Sequence, residues 1–340
     1  SMTQLFQAKQ SLKFNMNSPS HSLRSKWKWL NSCSTRSFTT SPLRTTIIVL
    51  LVLACLQSCR ALNKVIDVST MGVSDGYQIK GAAGGNQAGF SVSNIGDING
   101  DTFPDTIVGA YKANKVVNGV VTKSLAGAAY VIFGSSDTSS YGKINTTLMS
   151  DNTSPLGFAI LGSAAGDQCG YSVSSAGDFN GDGLADVIVG ASTANPLVNS
   201  VARSDAGISY VIFGRSSTDG PSSYSSVDLT TMVYSGSTQG LAILGASAGD
   251  QSGFSVSGAV DVNLDGFGDV VIGARYANPI VNNATRASAG IAYVVFGRSV
   301  ASYVASGYAN IDLSLINIAG SSNGFAIYGA AVGDSLGWSV

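Results

Sequence analysis

The sequence contains no glutamate, and its single histidine, His21, lies near the N-terminus. Downstream of position 21, therefore, the side chains needed for Ser-His-Asp or Cys-His catalysis, for histidine-ligated zinc and for glutamate acid–base pairs are missing. All 20 acidic residues are aspartates. We expect no catalysis in this stretch, and a catalytic domain outside it stays open as an alternative.

Sequence that favours helices is also scarce. Only 11% of the residues are charged, and no long stretch repeats its apolar residues every 3.6 positions. The 41 glycines, together with recurrent runs of Val, Ile, Tyr and Phe, are typical of strands joined by tight turns. The sequence predicts an all-β protein.

Negatively charged residues are missing from the N-terminal region. Residues 1–60 carry eight Lys or Arg and no acidic residue, whereas residues 61–340 carry a net charge of −9. A nucleic-acid-binding domain needs a basic face, and the acidic part of the chain offers no such surplus. We predict no nucleic-acid partner.

Residues 1–61 form a basic leader with an unbroken apolar run at 47–56. Ten residues are too few to span a bilayer, which needs about 20, but they suit the core of a signal peptide. Cleavage after Ala61 is the favoured interpretation, and it predicts a secreted or cell-surface protein. The alternatives are a lipoprotein signal ending at Cys59, an uncleaved signal anchor, and a true start at Met16 or a bipartite targeting sequence.

Cysteine is almost absent outside the leader. Cys169 is the only one there, so that part of the chain forms no internal disulfide, and we expect its side chain to be buried. Three N-glycosylation sequons begin at Asn145, Asn152 and Asn283. They predict a glycoprotein if the chain passes through a eukaryotic secretory pathway.

A Gly-aromatic pair recurs along the chain with spacings of 81, 83 and 84 residues, at Gly89-Phe90, Gly170-Tyr171, Gly253-Phe254 and Gly337-Trp338. A period this long holds several strands. In the first unit we predict strands A to D at 89–95, 105–110, 130–134 and 157–162. The predicted repeats cover 82–162, 163–245 and 246–329, and a fourth repeat begins at 330–340.

Four antiparallel strands per repeat, joined by glycine-rich turns, predict blades of a β-propeller. One blade cannot bury both faces of its sheet, so neighbouring blades must stack. Residues 62–81 resemble the end of a repeat, and we expect them to close the ring by supplying the last strand or strands of the final blade. Because propellers have about four to eight blades, we expect these three and a part blades to belong to a larger propeller of roughly seven blades.

Each predicted A–B loop carries side-chain oxygens at its positions 1, 3, 5 and 9, and position 7 can offer its backbone carbonyl. Ca²⁺ prefers six to eight oxygen ligands, and an EF-hand is excluded because the flanks are strand-like and no Glu follows at position 12. The alternative is three Asx-rich turns without metal. We predict three Ca²⁺ sites. The predicted ligands are Asp97, Asn99, Asp101, Phe103 and Asp105; Asp178, Asn180, Asp182, Leu184 and Asp186; and Asp261, Asn263, Asp265, Phe267 and Asp269.

Residues 170–191 contain Gly-Tyr-Ser-Val-Ser, then Gly-Asp-Phe-Asn-Gly-Asp-Gly-Leu-Ala-Asp, then Val-Ile-Val-Gly-Ala. With these motifs the chain resembles the FG-GAP repeat family, which includes the β-propeller of integrin α subunits. It departs from the family pattern at Cys169, where Phe is usual, at Ser192, where Pro is usual, and at Thr102, where the loop usually has Gly. The resemblance implies an extracellular, calcium-stabilised propeller that serves adhesion or ligand recognition.

The resemblance also implies where partners bind. In the family the metal loops lie on the lower face, and the B–C and D–A loops lie on the upper face. The B–C loops here, at 113–127, 194–207 and 277–290, are long and alike, so they are either the binding surface or a repeated structural element. The implied partner is an extracellular protein or glycan, or a partner subunit on the upper face. The alternative function is an accessory propeller of a secreted hydrolase, similar to GPI-specific phospholipase D, whose catalytic domain lies elsewhere.

Overall fold

The computed structural model describes residues 76–117, 120–136, 144–150, 154–216, 225–232, 237–306, 309–316 and 321–340. The predicted leader, residues 62–75 of the predicted closing segment and the sequon at Asn152 lie outside the described residues. The described residues form strands joined by turns, with two short helices, α1 (Thr146–Ser150) and α2 (Val300–Ala305). The prediction of an all-β protein is confirmed. No described helix is long and apolar enough to cross a membrane.

The strands follow the repeats. Before the first repeat lies β1 (Ile79–Lys80). The first repeat contains β2 (Ser91–Gly96), β3 (Asp105–Ala110), β4 (Lys115–Val117), β5 (Val120–Lys123), β6 (Ala128–Ile132), β7 (Ile144–Asn145) and β8 (Gly157–Leu161). The second contains β9 (Ser172–Gly177), β10 (Asp186–Ala191), β11 (Leu197–Val198), β12 (Val201–Ala202), β13 (Ile208–Ile212), β14 (Val227–Asp228) and β15 (Gly240–Leu244). The third contains β16 (Ser252–Val260), β17 (Asp269–Ala274), β18 (Ile280–Val281), β19 (Ala284–Thr285), β20 (Ile291–Val295), β21 (Ile311–Asp312) and β22 (Gly324–Tyr328).

Each repeat builds one four-stranded antiparallel blade. Blade 1 has the order β2-β3-β6-β8, blade 2 the order β9-β10-β13-β15, and blade 3 the order β16-β17-β20-β22. The first strands of the blades, β2, β9 and β16, lie beside one another. This is the arrangement of successive blades in a β-propeller, as the sequence predicts.

The predicted strand bounds hold best for strand B, which matches β3, β10 and β17 at both ends. The observed C strands begin and end two residues before the predicted ones, so that β6 stops at Ile132. Strand C of blade 1 ends early because the backbone N–H of Gly134 donates a 2.7 Å hydrogen bond to the side chain of Asp105, at Oδ1, and not to a neighbouring strand. A run of apolar residues does not reveal such a turn.

The outer edges of blades 1 and 2 each carry a strand that sequence reasoning missed. The connection between strands C and D of one repeat pairs in parallel with the outer strand of the preceding blade, β14 with β8 and β21 with β15. In the same way β7 pairs with β1. Gly76 has a φ of 147°, close to the 151°, 151° and 146° at the first residues of β8, β15 and β22. By pairing and by backbone conformation, β1 therefore corresponds to the outer strand of a blade that precedes blade 1.

The core lies between the blades. In β10, Val187 and Val189 belong to the apolar cluster shared with blade 1, whereas Ile188 belongs to the cluster shared with blade 3. Successive side chains of a strand point to opposite faces, so blade 2 is buried on both faces, which explains the unbroken apolar run of its strand B. Cys169 is buried and unpaired, as predicted.

Glycine is required where neighbouring blades touch. A Cβ added at Gly190 would lie 2.1 Å from the carbonyl oxygen of Gly253 in the next blade. A Cβ added at Gly109 would likewise lie 2.1 Å from the carbonyl oxygen of Gly170, and one added at Gly273 would lie 2.1 Å from that of Gly337. The Gly of the Gly-Ala motif and the Gly of the Gly-aromatic motif therefore form one close backbone contact between blades, which only glycine fits.

Candidate functional site

Each inner strand joins two candidate functional features. An aromatic residue lies just before the strand in blades 1 and 2 and near its start in blade 3, where Phe254 is the third residue of β16. An Asp-rich loop follows the strand, so β2 runs from Phe90 to the loop that begins at Asp97. The same order holds for β9, between Tyr171 and Asp178. Because the inner strands are extended and lie side by side, the aromatic residues and the Asp loops lie at opposite ends of the blades.

In the Asp loops, the backbone wraps around the first carboxylate. Asp178 Oδ1 accepts hydrogen bonds from the N–H groups of Gly181 (2.7 Å) and Asp182 (3.0 Å), and its Oδ2 accepts one from Gly183 (3.0 Å). Asp97 accepts three such bonds in the first loop and Asp261 accepts two in the third. The first position is thus fixed in the same way in all three loops.

The third and fifth positions contact each other. Asn180 Nδ2 donates to Asp182 Oδ2 over 2.8 Å, and Asn180 Oδ1 accepts the N–H of Asp182 over 2.9 Å. The seventh position takes part through its backbone, since the N–H of Leu184 donates to Asp182 Oδ1 (2.9 Å). Equivalent bonds join the third and fifth positions in the other two loops.

The ninth aspartate links distant parts of its blade. Asp186 is fully buried, and its Oδ2 accepts the N–H groups of Phe179 (2.8 Å) and Asn180 (3.2 Å). Its Oδ1 accepts the N–H of Gly214, which follows strand C (2.8 Å). Asp186 therefore ties the start of the loop to the end of β13, a role that sequence reasoning did not assign to it.

Burial favours the protonated form of the ninth-position carboxyl groups Asp105 and Asp186 in the metal-free chain. Burial raises the pKa of Asp186 well above its usual value, and the charges of Asp182 and Asp178 act in the same direction against the backbone N–H donors. Burial likewise raises the pKa of Asp105 to about 6. A bound cation would favour the charged form of such groups.

The loops fit Ca²⁺ by the chemistry of their donors. Each combines three carboxylates, one amide oxygen and one backbone carbonyl, all of them hard oxygen ligands. Each carboxylate oxygen has about two lone pairs, so the hydrogen bonds above leave acceptor capacity for a cation. Within the described residues, however, no three Asp, His or Cys side chains already converge as a metal cage. The fifteen assigned ligands stay a prediction, and bound Ca²⁺ would supply positive charge among clustered carboxylates.

At the opposite end, aromatic rings from successive repeats form a continuous array that sequence reasoning missed. Ring centroids lie 5.0 Å apart for Phe90 and Tyr171, 4.9 Å for Tyr171 and Phe254, and 5.3 Å for Phe254 and Trp338. Tyr111, from the end of β3, packs 4.6 Å from Phe90. We call these five residues the aromatic face.

The positively charged side chain of Arg275 packs against the aromatic face. The guanidinium of Arg275 lies 3.6 Å from the ring centroid of Phe254 and 4.8 Å from that of Trp338. Its Nε and Nη2 donate to Gln251 Oε1 over 3.1 and 2.9 Å. Arg275 is therefore held over the rings by stacking and hydrogen bonds.

The signals for the aromatic face were present in the sequence. The recurrent Gly-aromatic pairs mark the repeats, but their rings meet only because the inner strands lie side by side. Tyr111, Ser192 and Arg275 occupy the same position after the Gly-Ala motif. This position differs between repeats, which is the expected behaviour of a ligand-contacting site on a repeated scaffold.

The B–C loops form small hairpins in every blade, β4–β5, β11–β12 and β18–β19. They expose apolar side chains, such as Val201 at 65%. The second hairpin also supplies Arg203, which pairs with Asp312 of the next repeat. At least this hairpin has a structural role between blades.

The FG-GAP repeat family model matches residues 170–212 and 252–295 of the chain. The two matches fall in the second and third repeats, and each spans the inner strand, the Asp loop and the whole of strands B and C. No curated protein matches the chain. FG-GAP repeats indicate a propeller-type recognition module, and they are typical of extracellular proteins.

Proposed function

Because the chain carries two FG-GAP repeats in blades of a propeller-type fold, we propose that it acts outside the cell as a calcium-stabilised module for adhesion or ligand recognition. The ligand is an extracellular protein or glycan, or a partner subunit, and it binds at the aromatic face. The three Asp loops, at the other end of the blades, hold Ca²⁺ in a structural role.

The observation that carries this proposal is the aromatic face. Tyr171 and Phe254, which have an aromatic ring from the neighbouring repeat on either side, still keep part of their surface exposed, although large aromatic side chains usually lie buried. Clustered, exposed aromatics beside an arginine are typical of recognition surfaces, because rings offer large contact area with little loss of conformational freedom. The rings also offer flat faces on which a sugar ring or a peptide side chain can stack.

The proposal includes no catalytic role for this stretch. The described residues contain neither histidine nor glutamate, and the Asp loops are committed to hydrogen bonds and to the proposed metal. We also propose, from the leader, that the chain is exported. In that setting Asn283, exposed on the third hairpin, is an accessible glycosylation site.

The test is binding of the purified chain to immobilised panels of extracellular-matrix proteins and glycans. We expect binding in Ca²⁺ that falls at least about tenfold, or about 1.4 kcal/mol, in Trp338→Ser and in Phe90→Ser. Val304→Ser is the matched control, since it removes an exposed apolar side chain from α2 and should leave binding unchanged. Binding that survives both aromatic substitutions would place recognition elsewhere, and no binding to any panel member would oppose the proposed function.

A further inference from the structure

Arg275 occupies the place in blade 3 that an aromatic ring occupies in blade 1. Tyr111, at the equivalent position, packs on the aromatic residues of its own repeat and of the next, with ring centroids 4.6 and 5.1 Å apart. The guanidinium of Arg275 lies in the same way over Phe254 and Trp338, the aromatic residues of its own repeat and of the next. Both neighbours of this position are therefore present in blade 3, where a flat charged group replaces a flat neutral ring.

The stacked guanidinium of Arg275 keeps hydrogen-bond donors that have no partner among the described residues. Its five N–H groups lie in its plane, so ring contacts with its flat faces do not use them. One N–H on Nε and one on Nη2 donate to Gln251 Oε1. The second N–H of Nη2 and both of Nη1 remain, and they form a fork that can bind two oxygens of one anion through parallel hydrogen bonds.

The charge of Arg275 is not neutralised within the part of the chain that the structure describes. The cations that pair with carboxylates there, Lys115 and Arg203, belong to the first two B–C hairpins. Asp250, next to Gln251 in the sequence, is buried and accepts a backbone N–H from three residues away. Since residues 61–340 carry a net charge of −9, an unpaired cation among rings is a feature that an anion from outside can use.

A second cation lies at the other end of the row of rings. Lys112 is exposed, and its Nζ lies 5.4 Å from the ring centroid of Tyr111. Ring contacts then lead from Tyr111 through Tyr171 to Phe254, and so to Arg275. Burial raises the pKa of the Tyr171 hydroxyl, and the charge of Arg275 acts in the opposite direction, so this charge reaches the middle of the row.

We propose that the aromatic face binds an acidic glycan, whose carboxylate or sulfate group pairs with Arg275 and whose sugar rings stack on Tyr171 and Phe254. This inference rests on the proposed function and names the class of ligand for the same face. A polymer that repeats both a flat ring and a negative charge matches a row of rings with a cation at each end. One acidic side chain of a protein ligand would engage one end of the row and leave the other cation unpaired, so the observations favour the glycan.

Isothermal titration calorimetry of the full chain with three hexasaccharides tests the proposal. Heparin carries sulfates and carboxylates, hyaluronan carries carboxylates alone, and maltohexaose is neutral. We expect at least one acidic hexasaccharide to bind about tenfold or more tightly than maltohexaose, with an affinity that falls as salt is added. Comparison of heparin with hyaluronan distinguishes a sulfate from a carboxylate as the group that Arg275 binds.

Substitutions identify the residues that hold the anion. Arg275→Ala should weaken binding of the acidic hexasaccharide about tenfold or more, and Arg275→Lys, which keeps the charge but loses the fork, should bind with intermediate affinity. Lys112→Ala should weaken it about twofold to fivefold. Lys80→Ala is the charge-matched control, since it removes an exposed positive charge from β1, outside the aromatic face, and should bind like the unaltered chain.

Several results would overturn the proposal. They are equal binding of neutral and acidic hexasaccharides, unchanged binding of the acidic one in Arg275→Ala, and tighter binding of a poly-aspartate peptide than of either acidic hexasaccharide. A chain that binds members of the protein panel through its aromatic face, but binds neither acidic hexasaccharide, would keep the proposed function and lose this inference. A thermal melt of each variant checks its folding, and the exposed Lys112 gives a second readout that does not depend on the packing of Arg275.

Discussion

Arg203 and Asp312 lie in neighbouring repeats, 109 positions apart in the sequence, and are joined by two hydrogen bonds of 2.7 and 2.9 Å. The pair is mostly buried, with 20% and 14% of the two side chains exposed. It fastens the connection of the third repeat to the outer edge of blade 2.

We expect Asp312→Asn to lower the free energy of unfolding by about 1 to 3 kcal/mol, because Arg203 loses its charged partner. Urea denaturation in EGTA measures this without a contribution from calcium. Asp205→Asn is the control, since Asp205 is exposed on the same hairpin as Arg203. Equal stability of the two variants would mean that the ion pair adds nothing measurable.

Asp250 gives a prediction about pH. Burial raises its pKa to about 6, although the N–H of Ser247 and the charge of Arg203 act in the opposite direction. Since the folded chain holds this proton more tightly than the unfolded chain, stability contributed by the protonated group is present at about pH 4 and is lost as the pH rises through about 6.

We therefore expect Asp250→Asn to flatten the dependence of unfolding free energy on pH between about 4 and 6 by about 1 to 3 kcal/mol. Denaturant titrations in EGTA across this range measure the slope. Asp205→Asn should keep the slope of the unaltered chain. An unchanged slope in Asp250→Asn would show that this carboxyl group titrates normally in the folded chain.

The contact between Gly190 and Gly253 predicts that Gly190→Ala is severely destabilising. The added Cβ would meet the Gly253 carbonyl oxygen at 2.1 Å, and the blades must separate to admit it. We expect a loss of about 3 kcal/mol or more, measured by thermal or urea denaturation. Gly84→Ala is the control, because an added Cβ there meets no atom within 4 Å. A Gly190→Ala protein as stable as the control would contradict the inferred packing of the blades.

The two kinds of aspartate in the second loop are expected to behave differently. Asp186→Asn replaces an acceptor of three backbone N–H groups, so it should destabilise the chain by about 2 to 4 kcal/mol even in EGTA. Asp182→Asn should change the melting temperature in EGTA little and reduce the shift that Ca²⁺ produces. If Asp186→Asn were harmless in EGTA, its link to Gly214 would contribute nothing in the metal-free chain.

Much of the fold could be predicted because its signals are local. Strand B matches the prediction in all three repeats, since an Asp begins each apolar run and Gly-Ala ends it. The four-stranded blade follows from the repeat period and from the need to bury both faces of a sheet.

The features that sequence reasoning missed depend on long-range contacts. The aromatic face arises only when Phe90 and Tyr171, 81 positions apart, meet at neighbouring inner strands. The parallel pairing of residues 227–228 with blade 1 is a two-residue contact with no periodicity to detect. In the loops, the sequence shows the oxygen donors but does not separate Asp186, which links two segments through hydrogen bonds, from Asp182, which lies exposed.

The central claim is that the Asp loops bind calcium and thereby stabilise the propeller blades. The measurement that tests it most directly is a thermal melt of the full chain in Ca²⁺ and in EGTA. We predict a higher melting temperature in Ca²⁺, because a ligand that binds the folded state at a hundredfold excess over its Kd adds about 2.7 kcal/mol per site. The same melting temperature in both buffers would contradict the claim and leave the loops as metal-free turns held by their hydrogen bonds.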